Sequence, residues 1–145
     1  MDSKKAPDNI CPIARTLAFL GDAWTILIMR DAHSGVTRFD QFRKNLGIAP
    51  TMLTNRLETL TAEKLLEKRQ YSERPPRYEY VLTEAGRDYL PVLFIIGAWG
   101  QKHRGEGKLM RFFDAETGTE IKPIAIDAVT GAEIGTRPIR MVVPE

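Results

Sequence analysis

The apolar residues that follow Arg38 first recur with the period of a helix. In the stretch that begins there, the apolar positions are Phe39, Phe42 and Leu46. Gly47 comes next, and a sharp turn is predicted at this point because glycine adopts backbone conformations that other residues avoid. A second helix is predicted from Pro50, since a proline in the first helical turn loses no hydrogen bond. The apolar face of this second helix consists of Leu53, Leu57 and Leu60.

Beyond Leu66 the spacing of the apolar residues shortens toward a period of two, which is typical of strands. Two short strands are predicted at Glu67–Tyr71 and Tyr78–Leu82, on either side of an arginine- and proline-rich loop, Ser72–Arg77. Two helices with a tight corner, followed by a hairpin, make a winged helix-turn-helix. The predicted fold class is therefore mainly α with a small β wing, an α+β architecture.

Two further helices are predicted ahead of this unit. The first covers Pro12–Leu20. The second covers residues 23–32, with Asp22 as a possible cap and with Trp24, Leu27 and Ile28 turned toward the core. Thr37 is expected to cap the helix that begins directly after it, because a threonine side chain can accept a hydrogen bond from the free N–H groups of a helix start.

One long helix is predicted to run from Thr83 to about Lys102. Between Tyr89 and Trp99 this helix is apolar on nearly every side, and a helix of that kind must be buried on every side. In a small domain the economical cover is a second subunit. We therefore predict a two-fold dimer joined by this helix and by Pro12–Leu20. A dimer presents two reading helices about one helical turn of DNA apart, which suits a palindromic operator.

The C-terminal residues contain an internal repeat. The segment DAETGTEI at Asp114–Ile121 returns 13 residues later as DAVTGAEI at Asp127–Ile134. Each copy combines a turn signal with a β-favouring stretch, so small hairpins are predicted. The predicted organisation is a flexible arm over 1–10, a winged-helix DNA-binding and dimerisation domain over 11–106, and a C-terminal β-hairpin extension over 107–145.

Charge favours contact with nucleic acid in one part of the chain only. Residues 38–83 carry nine Lys and Arg against six Asp and Glu, a net charge of +3, whereas residues 112–145 carry three against six. The polar N-terminus predicts no secretory leader, and no apolar run reaches the roughly 20 residues of a membrane span. A single cysteine excludes an internal disulfide and suits a reducing compartment. We expect a cytoplasmic protein.

The outward residues of the helix that begins at Pro50 are the candidates for reading bases in a major groove. Asparagine can bond an adenine edge, and threonine can bond a base or touch a thymine methyl. The base-reading candidates are Thr51, Thr54 and Asn55. Pro50 opens this helix, and Arg56 is expected to read a base or to clamp a phosphate. Arg38 is expected to dock on the DNA backbone, and Arg74 and Arg77 to reach phosphate or the adjacent minor groove.

A series of landmarks across residues 11–100 carries a family resemblance. They are Cys11-Pro12, Leu20-Gly21-x-x-Trp24, Arg38-Phe39-x-x-Phe42, Gly47-Ile48, Leu53-Thr54-x-x-Leu57-x-x-Leu60, Arg69-x-Tyr71, Pro75-Pro76-x-x-Glu79-Tyr80-x-Leu82-Thr83-x-x-Gly86 and Trp99. In these the chain resembles the HxlR-type transcriptional regulators, winged-helix proteins related to the MarR group. The resemblance implies a cytoplasmic, dimeric DNA-binding regulator, commonly a repressor and sometimes an activator. Two positions depart from the family: Ala23 replaces a basic residue, and Lys64 replaces the glycine after the reading helix.

Cys11 is a candidate sensor. It lies at a predicted helix start, where the helix dipole favours a thiolate. The resemblance implies the same role, since several relatives use this cysteine to sense oxidants, quinones or aldehydes. The alternative is a small buried hydrophobic residue, which free cysteine often is. The predicted partners are double-stranded DNA, a second copy of the chain, and a small-molecule or oxidant effector.

A catalytic function is not expected. His33 and His103 lie in unrelated segments, and one cysteine cannot build a thiolate metal cluster. No metal site and no cofactor is predicted. The predicted function is sequence-specific regulation of transcription by a homodimer. The alternative is a winged-helix protein-interaction module without specific DNA binding, because the fold alone does not fix the function.

Overall fold

The computed structural model describes residues 10–145, so nearly all of the predicted flexible arm lies outside the described residues. Within this part of the chain, six helices and two strands follow in the order α1 (Pro12–Leu20), α2 (Ala23–His33), α3 (Phe39–Leu46), α4 (Pro50–Ala62), β1 (Leu66–Glu73), β2 (Pro76–Leu82), α5 (Glu84–Arg87) and α6 (Leu90–His103). The strands form one antiparallel sheet. This architecture confirms the predicted winged helix-turn-helix. The chain forms two compact units, one that ends at Leu90 and one that begins at Pro91.

The core of the first unit is centred on the apolar face of α4. The leucines of this face are completely buried, as predicted: Leu53, Leu57 and Leu60. They pack in one cluster with Leu20, Ile28, Met29, Phe42 and Leu66. Burying a side chain of this size contributes about 1.5–3 kcal/mol, so the cluster fixes α4 firmly against α2 and α3.

The buried face of α2 agrees only in part with the predicted one. Ile28 is fully buried, as predicted, and so is Met29, whereas Trp24 and Leu27, also expected to face the core, are only half-buried. Thr25 is buried as well, and its backbone N–H and hydroxyl both donate to the Asp22 carboxylate that caps the helix, as predicted.

The predicted cap of α3 is wrong. Arg38, not Thr37, is the N-cap residue, and its side chain makes no capping hydrogen bond. The side chain of Gln41 caps the helix start instead: its Oε1 accepts a hydrogen bond from the backbone N–H of Arg38 at 3.3 Å. The Thr37 hydroxyl is engaged elsewhere, 3.5 Å from a carboxylate oxygen of Glu79.

The single helix predicted from Thr83 to about Lys102 is also wrong, because the structure divides it into α5 and α6. The Thr83 side chain caps α5, which ends after one turn at Arg87. Helix α6 then restarts at Leu90 with Pro91 in its first turn, where a proline nitrogen has no helical bond to lose but also cannot continue a preceding helix.

Two sharp turns that position α4 use the left-handed backbone region. Gly47, between α3 and α4, has φ +66°, which confirms the predicted turn. Lys64, after α4, has φ +64° and is the only residue other than glycine with positive φ among residues 10–145. A lysine in this backbone region carries a conformational cost of about 1–2 kcal/mol.

The wing is longer and its turn tighter than predicted. The strands pair from Leu66 with Leu82 to Glu73 with Pro76, which leaves a two-residue turn, Arg74 and Pro75, joined by a cis peptide bond. The pairing register shifts at Tyr71, which is an extra residue in β1 and forms a β-bulge. A bulge redirects the side chain that it carries.

A three-way junction joins α2, the end of α4 and α5. The His33 Nε2 donates to the Gly86 carbonyl at 2.9 Å, and the Thr83 N–H donates to the Leu65 carbonyl at 3.1 Å. Gly86 is buried, and a β-carbon added to it would collide with that same Leu65 carbonyl oxygen. His33 is therefore a structural residue at a helix end.

The repeated segments each form a closed turn, in line with the predicted hairpins but with one bridge instead of a strand pair. The antiparallel bridges are Phe113 with Glu120 and Ile126 with Glu133. The Asp114 Oδ1 accepts the N–H of Glu116 at 2.8 Å, and the Asp127 Oδ1 accepts that of Val129 at 3.0 Å. These aspartate turns close each repeat on its own backbone.

Helix α6 belongs to the second unit and has no buried residue there. Its exposed apolar side chains are Leu90, Val92, Ile95, Ile96 and Trp99. Within residues 10–145, no single helix is long and apolar enough to cross a membrane; α1 and α2, bent by 84° where they meet, pass on length and composition only as a pair.

Candidate nucleic-acid interface

The outward face of α4 follows from the burial of its leucines. Successive residues of a helix are rotated by about 100°, so the face opposite the buried leucines carries Thr51, Asn55 and Glu58. All three are exposed. This face begins in the first turn of α4, and the N-terminal residues of a recognition helix are those that contact base edges. Two of the three predicted base-reading residues thus lie on the outward face.

Thr54 and Arg56 lie on opposite flanks of α4. The Thr54 hydroxyl donates to the Pro50 carbonyl at 3.0 Å, so its methyl group is the part free to meet a base. The Arg56 Nε donates to the Asp22 Oδ1 at 3.1 Å, and only 30% of the Arg56 side chain is exposed. The predicted roles of Arg56 therefore compete with an ion pair that ties α4 to the start of α2.

The Asp22 carboxylate bonds to residues of both α2 and α4. Its oxygens accept the Thr25 N–H at 3.0 Å and the Thr25 hydroxyl at 2.8 Å, which caps α2. Burial alone would raise the pKa of Asp22, but the hydrogen bonds from Thr25 and the pairing with Arg56 outweigh burial and lower this pKa below its ordinary value of 3.8. Asp22 is thus ionised at neutral pH and holds the Arg56 guanidinium in place.

The start of α3 is bonded to the wing. The Tyr80 N–H donates to the Thr37 carbonyl at 2.7 Å, and the guanidinium of Arg38 lies over the ring of Tyr71, 4.1 Å from its centroid. No described carboxylate pairs with Arg38, which is exposed. Its N–H groups are available for an anion such as a DNA phosphate.

The wing presents cations on its turn and its strands. Arg74 and Arg77 are exposed at the turn, without an ion pair among the described residues. Arg69, in contrast, is neutralised by Glu79, with 3.0 Å between Nη2 and Oε1. Lys68 lies 4.6 Å from the centroid of the Tyr78 ring. The turn is therefore the part of the wing best suited to phosphate contact.

Cys11 is the N-cap residue of α1. Its Sγ accepts the Ala14 N–H at 3.4 Å, and the residue is half-buried. A half-buried thiol at a helix start remains accessible to small reagents, and the sensor role of Cys11 stays a prediction. Across the described chain, no group of three or more His, Cys, Asp or Glu is placed to hold a metal ion.

Two contacts of functional interest could not be predicted from the sequence. Asp22 is predicted to cap α2 but not to pair with Arg56, and nothing in the spacing of these two residues indicates the contact. Tyr71 is part of a sequence motif, but its contact with Arg38 depends on the bulge in β1.

Comparison with known proteins agrees with this geometry. The sequence profile of the HxlR-like helix-turn-helix family matches residues 19–108. The uncharacterised HTH-type transcriptional regulator Rv3095 of Mycobacterium tuberculosis is 38% identical over 127 residues, which cover 86% of this chain and 80% of that protein. The crystal structure of PA1607, named as a candidate transcription factor, is similar at a TM-score of 0.83 and 31% identity over 98% of this chain and 99% of that one. The redox regulator HypR in its reduced form is similar at a TM-score of 0.61 and 33% identity over 65% of this chain and 94% of that one.

Proposed function

We propose a function for this chain, which belongs to the HxlR-like helix-turn-helix family and is a transcriptional regulator. It represses transcription as a homodimer bound to a palindromic operator. One observation carries the proposal. The buried leucines hold α4 so that Thr51 and Asn55 stand exposed at its N-terminal half. In that position they read bases while the flanking cations meet phosphates.

Each candidate residue has a role in this proposal. Asn55 bonds an adenine edge, and Thr51 and Thr54 contact a base or a thymine methyl. Pro50 opens α4 and sets its entry into the groove, and Arg56 clamps a phosphate when it leaves Asp22. Arg74 and Arg77 contact the backbone or the minor groove beside the wing.

The apolar surface of α6 supports the homodimer. Its exposed side chains form a band from Val92 to Trp99, and exposed apolar surface of this kind marks an interaction site. On α1, Ile13 and Leu17 are also more than half exposed. We propose that α1 and α6 form the two-fold interface, which pairs two reading helices for two operator half-sites.

We further propose that the regulator acts in the cytoplasm, has no catalytic activity and needs no cofactor. Its proposed effector is an oxidant or electrophile that reacts with Cys11. The similarity to the redox regulator HypR and the partial exposure of the Cys11 thiol support this role. Cys11→Ser is expected to bind DNA as the native protein does and to lose its response to diamide; an unchanged response would refute the sensor role.

The central experiment is fluorescence anisotropy of the full chain with DNA from upstream of its own gene and with a scrambled duplex, over a salt series. Preference for the native duplex at physiological salt is expected, with two chains per duplex. Weak binding that is equal for the two duplexes and disappears with salt would refute sequence-specific regulation at this site. That result favours the protein-interaction module.

A further inference from the structure

The wing and the helix-turn-helix meet at one cation–aromatic contact. The Arg38 guanidinium lies 4.1 Å from the centroid of the Tyr71 ring, and Tyr71 is 38% exposed. A stacked guanidinium keeps its N–H groups free, because they point outward in the plane of the group while the face rests on the ring. The contact therefore fixes Arg38 without using its hydrogen-bond donors.

Both partners are held by the backbone around them. Thr37, directly before Arg38, accepts the Tyr80 N–H at 2.7 Å, so the start of α3 is fixed to β2. Tyr71 lies at the bulge of β1, between the pairs Gln70 with Tyr78 and Ser72 with Arg77. Because the bulge adds a residue at this point, the ring leaves the regular alternation of the strand and reaches Arg38.

Arg38 also differs from the ion-paired arginines of α4 and β1. Arg56 pairs with Asp22 and Arg69 pairs with Glu79, whereas Arg38 has an aromatic ring and no acidic partner within the described residues. An arginine that is oriented but not neutralised suits an anion that comes from outside the chain.

We propose that Tyr71 is a positioning residue for DNA binding: its ring holds the Arg38 guanidinium so that its N–H edge meets one phosphate between the groove read by α4 and the wing. The proposal rests on the proposed function, in which DNA occupies this side of the molecule. The Arg38–Tyr71 contact lowers the ordering cost of Arg38, since the side chain is already fixed when the phosphate arrives.

The test is a double-mutant cycle on DNA affinity with Arg38→Ala, Tyr71→Ala and the double variant, each over a salt series. Arg38→Ala is expected to weaken binding roughly ten-fold and to reduce the salt slope by about one unit. Tyr71→Ala is expected to weaken binding roughly three-fold in the native background and to have no effect once Arg38 is absent. An equal loss in both backgrounds would overturn the proposal.

Two matched variants separate positioning from folding. Tyr71→Phe keeps the ring and is expected to bind as the native protein does; a loss as large as that of Tyr71→Ala would overturn the proposal, since it would assign the effect to the hydroxyl. Tyr78→Ala removes the other cation–aromatic contact of the wing, with Lys68, and is expected to leave the salt slope unchanged. A Tyr71→Ala substitution that costs as much affinity in the Arg38→Ala background as in the native one would show a merely structural role.

The cycle also distinguishes this proposal from the proposed function. At low salt the scrambled duplex still offers phosphates, so the coupling between Arg38 and Tyr71 is measurable on it. If the native protein shows no preference for its own upstream DNA but the coupling persists, sequence-specific regulation fails and the positioning role stands. If the preference is present and the coupling absent, only the positioning role fails.

Discussion

The ion pair between Arg56 and Asp22 joins α4, the proposed reading helix, to the N-terminal cap of α2. The same carboxylate that accepts the Arg56 Nε at 3.1 Å accepts the Thr25 N–H at 3.0 Å. A change at Asp22 therefore acts on the start of α2 and on the flank of α4 together.

Asp22→Ala is expected to lower the free energy of unfolding by about 1 kcal/mol through the lost cap, and by at most about 1 kcal/mol more through the partly exposed ion pair. Asp22→Asn keeps a side-chain oxygen for the cap and is expected to lose only the second part. Urea unfolding of both variants separates the two effects. Equal losses would show that the cap contributes nothing.

The lowered pKa of Asp22 fixes the sign of its pH dependence. Because the folded protein holds this carboxylate ionised below its ordinary pKa of 3.8, its contribution to stability is complete above about pH 5 and is lost as the pH falls through the folded pKa. Native protein is therefore expected to lose more stability between pH 5 and pH 3 than Asp22→Asn, as measured by urea midpoints. Parallel losses would contradict the assignment.

The turn after α4 offers a stabilising substitution. Lys64 has φ +64°, a region that glycine adopts without steric cost. Lys64→Gly is expected to raise the free energy of unfolding by about 1 kcal/mol. Gly47→Ala, at φ +66°, is the matched opposite change and is expected to lower it by a similar amount. Chemical unfolding of the pair checks both signs.

Asn55 carries the sharpest prediction about recognition. Asn55→Ala is expected to cost about 1–3 kcal/mol of binding to the native operator and to relax the preference at one base pair. Thr59→Ala, also exposed on α4, is a control for the change in helix propensity. Anisotropy with single-base operator variants measures both. A loss of affinity that is equal for all duplexes would indicate that Asn55 contacts phosphate and does not read a base.

Arg74 and Arg77 are expected to act through charge alone. Alanine at either position is expected to weaken binding to native and scrambled duplexes alike and to reduce the salt slope by about one unit. Arg140→Ala removes the same charge from the C-terminal segment and is expected to leave DNA binding unchanged. A loss confined to the native operator would instead indicate sequence reading in the minor groove.

Ile96 tests the proposed dimer interface. Its side chain is 48% exposed on α6, so Ile96→Lys removes no described core contact and places a charge in the proposed interface. The variant is expected to be monomeric by light scattering and to bind single half-sites only. Ile139→Lys, a change of the same kind at a 76% exposed site of the C-terminal segment, is expected to keep the native mass. A dimeric Ile96→Lys protein would exclude this face.

Local signals in the sequence predicted the reading unit well. The leucine spacing of α4, Gly47 and Pro50 act over a few residues, and each lies where it was expected. Contacts between distant residues were out of reach: Arg56 meets Asp22 across 34 positions, and Arg38 meets Tyr71 across 33. The break between α5 and α6 falls at Asp88 and Tyr89. It was missed because neither of these residues is a strong helix breaker, although Pro91 marked the place.

The junction at Gly86 has a consequence for how this chain can vary. A side chain of any kind at this position would collide with the Leu65 carbonyl oxygen, and the Gly86 carbonyl is itself bound by His33. Saturation mutagenesis is thus expected to tolerate nothing but glycine here, as strictly as at a base-reading residue. The expected restriction at position 86 comes from the space available in the folded chain, so a change of operator could not relax it.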